Sequence, residues 1–267
     1  MNKVTILGCG TSTGVPILGC NCKVCQSTDL RNKRLRSSVL IESRHKYKIL
    51  IDTTPDLRAQ LIREKIKMLD AVIITHDHAD HVHGMDDLRT YGFNSPLNVY
   101  TNKETAQKLS SKFPYIFQRE KVFADKVILG GGIPLLNLSE ITLGKNLIGQ
   151  EYLEFLELPH GHTNTLGIIH SKCAYLTDLN EISDDQLDHL ENSRLELLII
   201  DCLRYKPHTT HLHLDKTLKY IEKISPKLTI LTHLGHEMDY VDLSYQLRRR
   251  GTKNVFPAYD GQCFYYS

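Results

Sequence analysis

Three imidazoles and two carboxylates stand within the seven residues 75–81 of this chain, directly after a mostly apolar run. An apolar run of that length predicts a buried strand, so the polar residues would lie at a strand end. His76 and His78 are two residues apart and would point to the same side of an extended segment. Asp80 and His81 follow where the chain turns away, and can serve a second cation. This mixture of nitrogen and oxygen donors suits divalent metals such as Zn²⁺ or Mn²⁺, and predicts a metal site rather than a solvated histidine-rich turn.

Three later apolar runs also end in residues that bind metals, namely His160, Asp178 and His233. Taken singly, a histidine after a strand is more often a hydrogen-bonded structural residue than a ligand. Together with 75–81, these residues supply enough donors for two cations. His162 is a rival of His160, which we favour because it directly follows the predicted strand and precedes a glycine.

A C-x-C-x-x-C cluster near the start of the chain comprises Cys20, Cys22 and Cys25. Spacing this tight is typical of metal-binding thiolates rather than of buried free cysteines. Three thiolates leave a tetrahedral zinc one ligand short, and His236, three residues after His233, is the candidate fourth ligand. One loop would then connect a closed structural zinc to the open pair of cations. We expect the other four cysteines to be ordinary core residues: Cys9, Cys173, Cys202 and Cys263.

The composition favours one compact domain over residues 1–267, because 41% apolar residues suffice for a substantial core. A net charge of +2 provides no basic field of the kind that binds nucleic acid, so a small anionic substrate fits better. Seven cysteines, three of them clustered, favour reduced thiols and hence the cytoplasm. The first eight residues resemble a strand rather than a signal peptide, and no apolar run approaches the ~20 residues that span a bilayer.

Strands and helices alternate in both halves of the chain, which predicts an α/β fold with two layers of sheet and helices outside. Thr54 and Pro55 would begin the first helix, with Leu57, Leu61, Ile62 and Ile66 on its apolar face. Ser183 and Gln186 form a capping box for a later helix. Other helices are predicted at 102–112, around 214–221 and at 240–250. Strands are predicted at 3–8, 38–42, 47–52, 69–74, 122–128, 133–138, 140–144, 152–158, 166–170, 173–177, 195–201 and 228–232, and further strands follow the last helix and end at Tyr265 and Tyr266.

These residues resemble the metallo-β-lactamase-fold superfamily, whose His-x-His-x-Asp-His motif and later His, Asp and His ligands the chain matches in order. The resemblance covers nearly the whole chain and implies a four-layer αββα sandwich. Asp52, after the strand at 47–51, matches the family's first acidic motif, which buttresses the metal site without ligating. The resemblance implies that His76, His78 and His160 hold one cation, that Asp80, His81 and His233 hold the other, and that Asp178 bridges the two.

The glycine-rich start, from Gly8 to Pro16, and the cysteine cluster narrow this resemblance. Together with the Thr-His-x-x-His motif at 232–236, they are similar to the branch that contains the phosphoribosyl 1,2-cyclic phosphate phosphodiesterases of the carbon-phosphorus lyase pathway. That branch implies hydrolysis of small phosphodiesters, cyclic ones included, by a hydroxide bridging two Zn²⁺ or Mn²⁺ ions, beside a separate structural zinc. It implies catalytic roles for Asp80 and for His211, which stands twenty-two residues before His233. It also makes a homodimer the expected assembly.

Several alternatives stay open at this stage. His208 and His213 are rivals of His211 as the catalytic acid. The metal ligands alone also suit thioester hydrolysis of the glyoxalase II type, lactam cleavage and tRNA 3′-end processing. A non-enzymatic binding protein related to the pyrroloquinoline quinone biosynthesis accessory protein would share the fold and the cysteines. The glycine-rich segment 8–14 is a tight turn or a phosphate cradle.

Two charged segments are also ambiguous in the sequence. The basic run 31–36 is a solvated loop or an anion-binding edge. Asp86 and Asp87 either charge the start of a helix or orient a ligating histidine. We favour the structural interpretation of each.

Overall fold

The computed structural model describes residues 1–92, 95–119, 122 and 132–267. Within these residues, fourteen strands form two seven-stranded sheets, with strand orders β14-β1-β2-β3-β4-β5-β6 and β13-β12-β11-β10-β9-β8-β7. The strands are β1 (Asn2–Gly8), β2 (Ser38–Glu42), β3 (Lys48–Ile51), β4 (Ala71–Ile73), β5 (Leu97–Thr101), β6 (Leu136–Glu140), β7 (Gly144–Ile148), β8 (Glu151–His160), β9 (Thr163–His170), β10 (Cys173–Leu176), β11 (Leu197–Asp201), β12 (Leu228–Thr232), β13 (Val255–Pro257) and β14 (Cys263–Tyr266).

Helices follow the strands in both halves of the chain. The α-helices of the described residues are α1 (Leu57–Arg63), α2 (Ala79–Val82), α3 (Lys103–Lys112), α4 (Pro114–Phe117), α5 (Asp184–Asn192), α6 (Leu214–Ile224) and α7 (Tyr240–Arg249), and 3-10 helices cover Leu30–Asn32 and Met85–Thr90. In the part of the chain that the structure describes, no helix combines the length and apolar character that crossing a membrane requires.

Each sheet contains four parallel strands, β3 to β6 in one and β10 to β13 in the other. The remaining strands pair antiparallel. Strand β8 is antiparallel to β9, which is antiparallel to β10, so β8 ends at the same edge as the parallel strands. Because parallel strands end together, side chains that follow them meet at one edge of the molecule.

The two sheets pack face to face, and helices cover both outer faces. The core between the sheets includes Ile6 and Ile51 of one sheet with Phe155 and Tyr175 of the other. Separate apolar clusters join the first sheet to α1 and α3 and the second sheet to α5 and α7. The predicted four-layer αββα sandwich is therefore confirmed.

The first helix begins later than predicted, and its buried face is narrower. It begins at Leu57 rather than at Pro55, because the Thr54 hydroxyl accepts a hydrogen bond from the Asp56 backbone N–H (3.1 Å) and donates one to Gln60 (3.0 Å). Thr54 thus fixes the turn before the helix. Ile62 is 59% exposed, so it does not belong to the buried face of α1.

Other predicted elements hold or shift by a few residues. Strands β6 and β7 lie three to four residues later than the predictions at 133–138 and 140–144, and strand β5 was not predicted. The capping box of Ser183 and Gln186 is confirmed. The strand predicted at 122–128 falls largely outside the described residues.

Two arginines of the basic run 31–36 are engaged within the fold rather than solvated. The Arg34 guanidinium is buried and donates to the carbonyl oxygens of Gly235 (3.1 Å) and Met238 (2.5 Å). Arg36 pairs with Asp56 at 2.9 Å. These charges fasten the segment to its neighbours, Arg34 to the loop that contains His236.

Segment 8–14 forms a tight turn beside this loop. The Gly14 N–H donates to the Thr11 carbonyl oxygen (2.8 Å), and Gly14 has a φ of +65°. A Cβ on Gly10 would lie 2.9 Å from the Arg34 carbonyl oxygen, which leaves room only for glycine. The Leu234 N–H donates to the Cys9 carbonyl oxygen (2.8 Å), so the turn supports the residue after His233.

Candidate metal centre

The predicted ligands come together where strands of both sheets end. The segment 75–81 follows β4, and His160 is the last residue of β8. Asp178 follows β10, and His233 directly follows β12. Short stretches of parallel strand therefore bring residues that are up to 157 positions apart in sequence into one cluster.

Three residues of this edge adopt left-handed backbone conformations. The φ angles are +66° at Asp52, +55° at Asp178 and +57° at His233. Asp and His are among the non-glycine residues that tolerate this region, and such conformations concentrate at functional sites. The backbone at three strand ends is thus bent sharply just where the predicted ligands and their support stand.

His76, His78 and His160 form the first cluster, with ligand atoms all within 4.8 Å of one another. His160 Nε2 lies 3.2 Å from His78 Nδ1. Two nitrogen ligands of a tetrahedral cation with bonds of ~2.0–2.1 Å stand about 3.3 Å apart. The spacing of these two rings therefore fits a shared cation.

Hydrogen bonds fix the rings of this cluster. His160 Nδ1–H donates to the Thr210 carbonyl oxygen (2.8 Å), which leaves Nε2 as a lone-pair donor. The Thr75 hydroxyl donates to Asp52, so it accepts from His76 Nδ1–H (3.0 Å). His76 Nε2 is buried with no protein partner among the described residues. Burial lowers the pKa of both His76 and His160, which keeps them neutral, as ligation requires.

Asp80, His81, Asp178 and His233 form the second cluster, again with ligand atoms within 4.8 Å of one another. His81 Nε2 lies 3.3 Å from an Asp80 oxygen and 3.2 Å from an Asp178 oxygen. His233 Nε2 lies 3.1 Å from the other Asp178 oxygen. Two imidazoles and two carboxylates thus converge on one buried point.

Asp178 connects the two clusters. Its Oδ1 is 3.1 Å from His233 Nε2 and 4.0 Å from His160 Nε2, a member of the first cluster. Burial alone would raise the pKa of Asp178, but the rings of His233 and His81 hold the pKa of this carboxyl well below its usual range. The geometry is that of a carboxylate placed between two cation sites.

Asp52 stands behind the second cluster and orients it. Its carboxylate accepts from His81 Nδ1–H (2.7 Å) and from the backbone N–H of Thr75 (2.8 Å). Because Nδ1 of His81 is engaged, its Nε2 is the atom presented to the cluster. Carboxylates that hold ligating histidines in this way tune metal affinity.

His211 lies between the two clusters, and Asp201 holds it there. The His211 ring centroid is 4.7 Å from that of His160 and 4.6 Å from that of His233. His211 Nδ1–H donates to the buried Asp201 carboxylate (2.9 Å). His208 is one step farther out, with its ring 5.3 Å from His211, and His213 occupies the N-cap position of α6, where its side chain makes no capping hydrogen bond.

Sequence reasoning placed Asp201 only in a buried strand and gave it no role. The sequence does contain a signal for this role, because Asp201 ends the apolar strand β11 just as Asp178 follows the apolar strand β10. His162 is exposed and lies outside the donor clusters of the described residues. Asp86 pairs with Arg89 and accepts from the Tyr115 hydroxyl (3.0 Å), in line with a structural role.

Cys20, Cys22, Cys25 and His236 form a separate cluster. Their sulfur atoms lie 3.4, 3.5 and 3.7 Å from one atom, His236 Nδ1. Tetrahedral zinc with Zn–S bonds of ~2.3 Å and Zn–N bonds of ~2.0–2.1 Å would separate sulfur and nitrogen ligands by about 3.5 Å. A hydrogen bond from the Cys25 backbone N–H is the main cause that lowers the pKa of Cys22 to about 6, which favours the thiolate. The donor set and its spacing fit a zinc ion.

The family model of the β-lactamase superfamily domain matches residues 47–234, about 70% of the chain. The chain belongs to the β-lactamase superfamily. This confirms the superfamily that the His-x-His-x-Asp-His motif predicted. The matched range begins just before Asp52 and ends just after His233.

Among solved structures, this superfamily member is similar to a diphosphatase from the PhnP family. The two share 33% identity over 100% of this chain and 98% of that one, with a TM-score of 0.88. A zinc-bound PqqB from Methylobacterium extorquens has 17% identity and a TM-score of 0.78 over 99% and 100% of the chains, which shows the common fold.

Two curated relatives bear different names. Coenzyme PQQ synthesis protein B of Acinetobacter baumannii (strain AYE) is 30% identical over 97% of this chain and 98% of its own length. An octanoyltransferase of Porphyromonas gingivalis is 37% identical over 88% of this chain, which spans only 46% of that protein. More than half of the Porphyromonas protein thus lies outside the match.

Family, fold and donor clusters together support a metal-dependent hydrolase of PhnP-like architecture.

Proposed function

We propose that this superfamily member is a two-metal phosphodiesterase that hydrolyses a small anionic substrate. The observation that carries the proposal is the position of His211, whose ring lies within 5 Å of ligand rings from both clusters while Asp201 holds its far nitrogen. His76, His78 and His160 would hold one cation, Asp80, His81 and His233 the other, and Asp178 both. Cys20, Cys22, Cys25 and His236 would hold a third, structural zinc.

When bound, the two cations would lower the pKa of a water molecule and place positive charge against the non-bridging oxygens of a phosphate. The chain presents lone pairs to them at fixed positions. His81 is held through Nδ1 by Asp52, and His160 by the Thr210 carbonyl oxygen. Rings fixed in this way need little rearrangement during the reaction.

His211 suits the departure of an alkoxide. Because Nδ1–H is donated to Asp201, the remaining nitrogen, Nε2, is the one that can deliver a proton when the ring is in its doubly protonated, imidazolium form. An alkoxide leaves poorly without a proton, whereas a thiolate, with a thiol pKa of ~8.5, leaves readily. A positioned acid between the metal clusters therefore favours a phosphodiester over the thioester alternative.

A second candidate is cleavage of a diphosphate link, since the similar PhnP-family structure is a diphosphatase. Both reactions would place phosphorus at the same cations. They differ in the leaving group, because a phosphate with a second pKa of ~6 departs without a proton donor. Dependence on His211 is therefore the property that separates the two candidates.

The test measures hydrolysis by metal-stripped protein reloaded with Mn²⁺ or Zn²⁺. The substrates are bis(p-nitrophenyl) phosphate, 2′,3′-cyclic AMP, a dinucleoside diphosphate and a thioester. We expect metal-dependent cleavage of both diesters, with His211→Ala reducing kcat on the cyclic diester ~10²-fold or more and on the p-nitrophenyl diester far less, because p-nitrophenolate leaves readily. His213→Ala, in the same loop, is the control.

Each other outcome points to a different function. Cleavage of the diphosphate alone, unaffected by His211→Ala, would support the diphosphatase candidate. Thioester cleavage alone would contradict the proposal. If the protein binds three metals but hydrolyses none of the substrates, a binding protein similar to PqqB would be favoured.

A further inference from the structure

A cavity lies between helix α7, strand β13 and the segment that follows the cysteine cluster. Its volume is about 680 Å³, within the range of small-molecule sites. Three cationic side chains, Arg31, Arg248 and Lys253, stand in its wall with the rings of Tyr240 and Phe256. None of the ten described residues that line it is acidic.

The positive charge of this wall is only partly balanced. Arg31 is paired with Asp29 (2.6 Å), and its guanidinium lies over the Tyr240 ring at 4.2 Å from the centroid. Arg248 uses Nε on the Ser244 carbonyl oxygen (3.2 Å). Neither Arg248 nor Lys253 forms an ion pair with a carboxylate of the described residues. The positively charged side chains of Arg248 and Lys253 are therefore available to bind an anion.

The same wall also contains apolar side chains that are exposed to solvent. Phe256 is 43% exposed and Val241 is 51% exposed, although both belong to regular elements. Strand β13 is the edge strand of its sheet, so no further strand of the described residues lies beside Phe256. Adjacent exposed apolar side chains often mark a binding site.

From these observations we propose that the cavity binds a phosphorylated aromatic heterocycle, the chemistry of a nucleotide. The heterocycle would pack against Phe256 and Tyr240, and the phosphate would meet Arg248 and Lys253. The hydroxyl groups of Ser244 and Thr252 in the wall donate to the carbonyl oxygens of Tyr240 (2.7 Å) and Leu247 (2.8 Å), so their oxygens can accept hydrogen bonds from a ribose. This site is separate from the proposed phosphodiesterase centre, whose residues do not line it.

A ligand here would touch both segments that build the zinc cluster. Arg31 follows Cys25 by six residues, and Tyr240 follows His236 by four. Asn32 joins these segments, because its side chain accepts from the Tyr240 backbone N–H (2.9 Å) and donates to Asp239 (2.9 Å). Occupancy of the cavity would therefore stabilise the zinc-binding region.

The chain contains no tryptophan, so Phe256→Trp would place a single fluorescent reporter in the cavity wall. Titration of the metal-loaded protein with AMP should quench this tryptophan saturably, while adenosine or inorganic phosphate at the same concentration should not. Adding Arg248→Glu should raise the Kd for AMP at least about tenfold, because a charge-assisted contact becomes a repulsion. Arg249→Glu is the matched control, since Arg249 is adjacent on α7 but lies outside the cavity and over Tyr245.

Hydrolysis of bis(p-nitrophenyl) phosphate, measured in parallel, should be unchanged in all three variants. The proposal is overturned by a lack of saturable quenching with AMP, or by equal affinity in the Arg248→Glu and Arg249→Glu proteins. Equal quenching by inorganic phosphate would also overturn it, because the ring would then play no part. Circular dichroism of each variant excludes loss of folding as the cause of a lost signal.

Discussion

The two regions that we propose to bind metals hold their donors in different ways. At the strand ends, hydrogen bonds to neighbouring groups fix several of the rings, as Asp52 does for His81 and the Thr210 carbonyl oxygen for His160. In the cysteine cluster the donors lie in loops, and three sulfur atoms surround His236 Nδ1 at 3.4–3.7 Å. Ring nitrogens are oriented in the first region, whereas in the second the backbone supports the sulfur atoms, as the N–H of Cys25 does for Cys22 (3.4 Å).

This difference matches the two kinds of chemistry expected of them. A catalytic site must keep its ligands in place while one side stays open to substrate, and supporting hydrogen bonds provide that stiffness. A closed site with four protein ligands contributes folding energy instead. Both regions share the loop 232–236, which carries His233 and His236, so the comparison can be tested by changing one region and measuring the other.

Asp178→Asn should give the largest effect. We expect loss of metal at the strand ends and a fall in kcat/KM of at least about 10³-fold, roughly 4 kcal/mol, because the carboxylate between the clusters loses its charge. Metal analysis should still find one zinc per chain, held by the cysteines. Asp185→Asn, on the exposed first turn of α5, is the control, and loss of all metal would show that the regions are not independent.

Cys25→Ser should remove the zinc of the cysteine cluster and leave the metal at the strand ends in place. One zinc per chain should be lost and the protein destabilised by about 3 kcal/mol, a decrease in Tm of roughly 6–12 °C, while metal at the strand ends remains. Calorimetry and metal analysis measure the two quantities. Cys263→Ser, an exposed cysteine outside the cluster, should change neither, and an unchanged zinc content in Cys25→Ser would disprove the assignment.

Asp52→Asn tests the hydrogen bond that orients His81 rather than a metal ligand itself. Loss of the charged partner of His81 should weaken metal binding at the strand ends by ~10–100-fold, while KM for a diester at saturating metal changes little. A chelator titration followed by activity gives the affinity. If the affinity is unaltered, the hydrogen bonds at the strand ends do not orient the ligands as described.

Asp260 holds Cys9, whose carbonyl oxygen accepts from Leu234 in the loop that carries both His233 and His236. A change of this residue should have the smallest effect. The Asp260 carboxylate accepts from the backbone N–H groups of Cys9 (3.1 Å) and Leu35 (2.8 Å), and burial raises its pKa to about 6. Folding therefore favours its protonated form, and that stability, complete below about pH 4, is lost as the pH rises through 6. The stability of wild type relative to Asp260→Asn should fall by about 1 kcal/mol between pH 5 and 7.5. Denaturant unfolding of both proteins at each pH measures this difference in stability. A difference that does not change with pH would show that folding does not raise the pKa of Asp260.

Local patterns in the sequence contained most of this fold and the donors of both regions. The spacing of His76, His78, Asp80 and His81 is a short-range signal, and so is the run of cysteines. Apolar runs that end in His160, Asp178 or His233 predicted strand ends, because parallel strands finish at one edge. These features need no knowledge of distant contacts.

Features that depend on distant contacts were harder to predict. Asp201 acquires its role only when β11 places it beside His211, a contact that no spacing encodes. The charges of Arg34 and Arg36 meet carbonyl and carboxylate groups up to 204 residues away, so their run resembled a solvated loop. The cavity at Phe256 joins segments more than 200 residues apart.

Strand β5 shows a third limit of sequence patterns. Residues Leu97 to Thr101 alternate between buried and half-buried positions, and the strand is only five residues long. The preceding proline and the polar residues Asn98 and Thr101 weaken the apolar signal. Its place is set by pairing with β4 and β6 rather than by its own composition.

The most direct test of the central claim is a crystal structure of the protein loaded with Mn²⁺ and Zn²⁺, with anomalous data at both metal absorption edges. We expect two ions at the strand ends, both bound by Asp178, and a separate zinc bound by Cys20, Cys22, Cys25 and His236. A single ion at the strand ends, or Asp178 bound to only one, would contradict the two-metal phosphodiesterase that we propose.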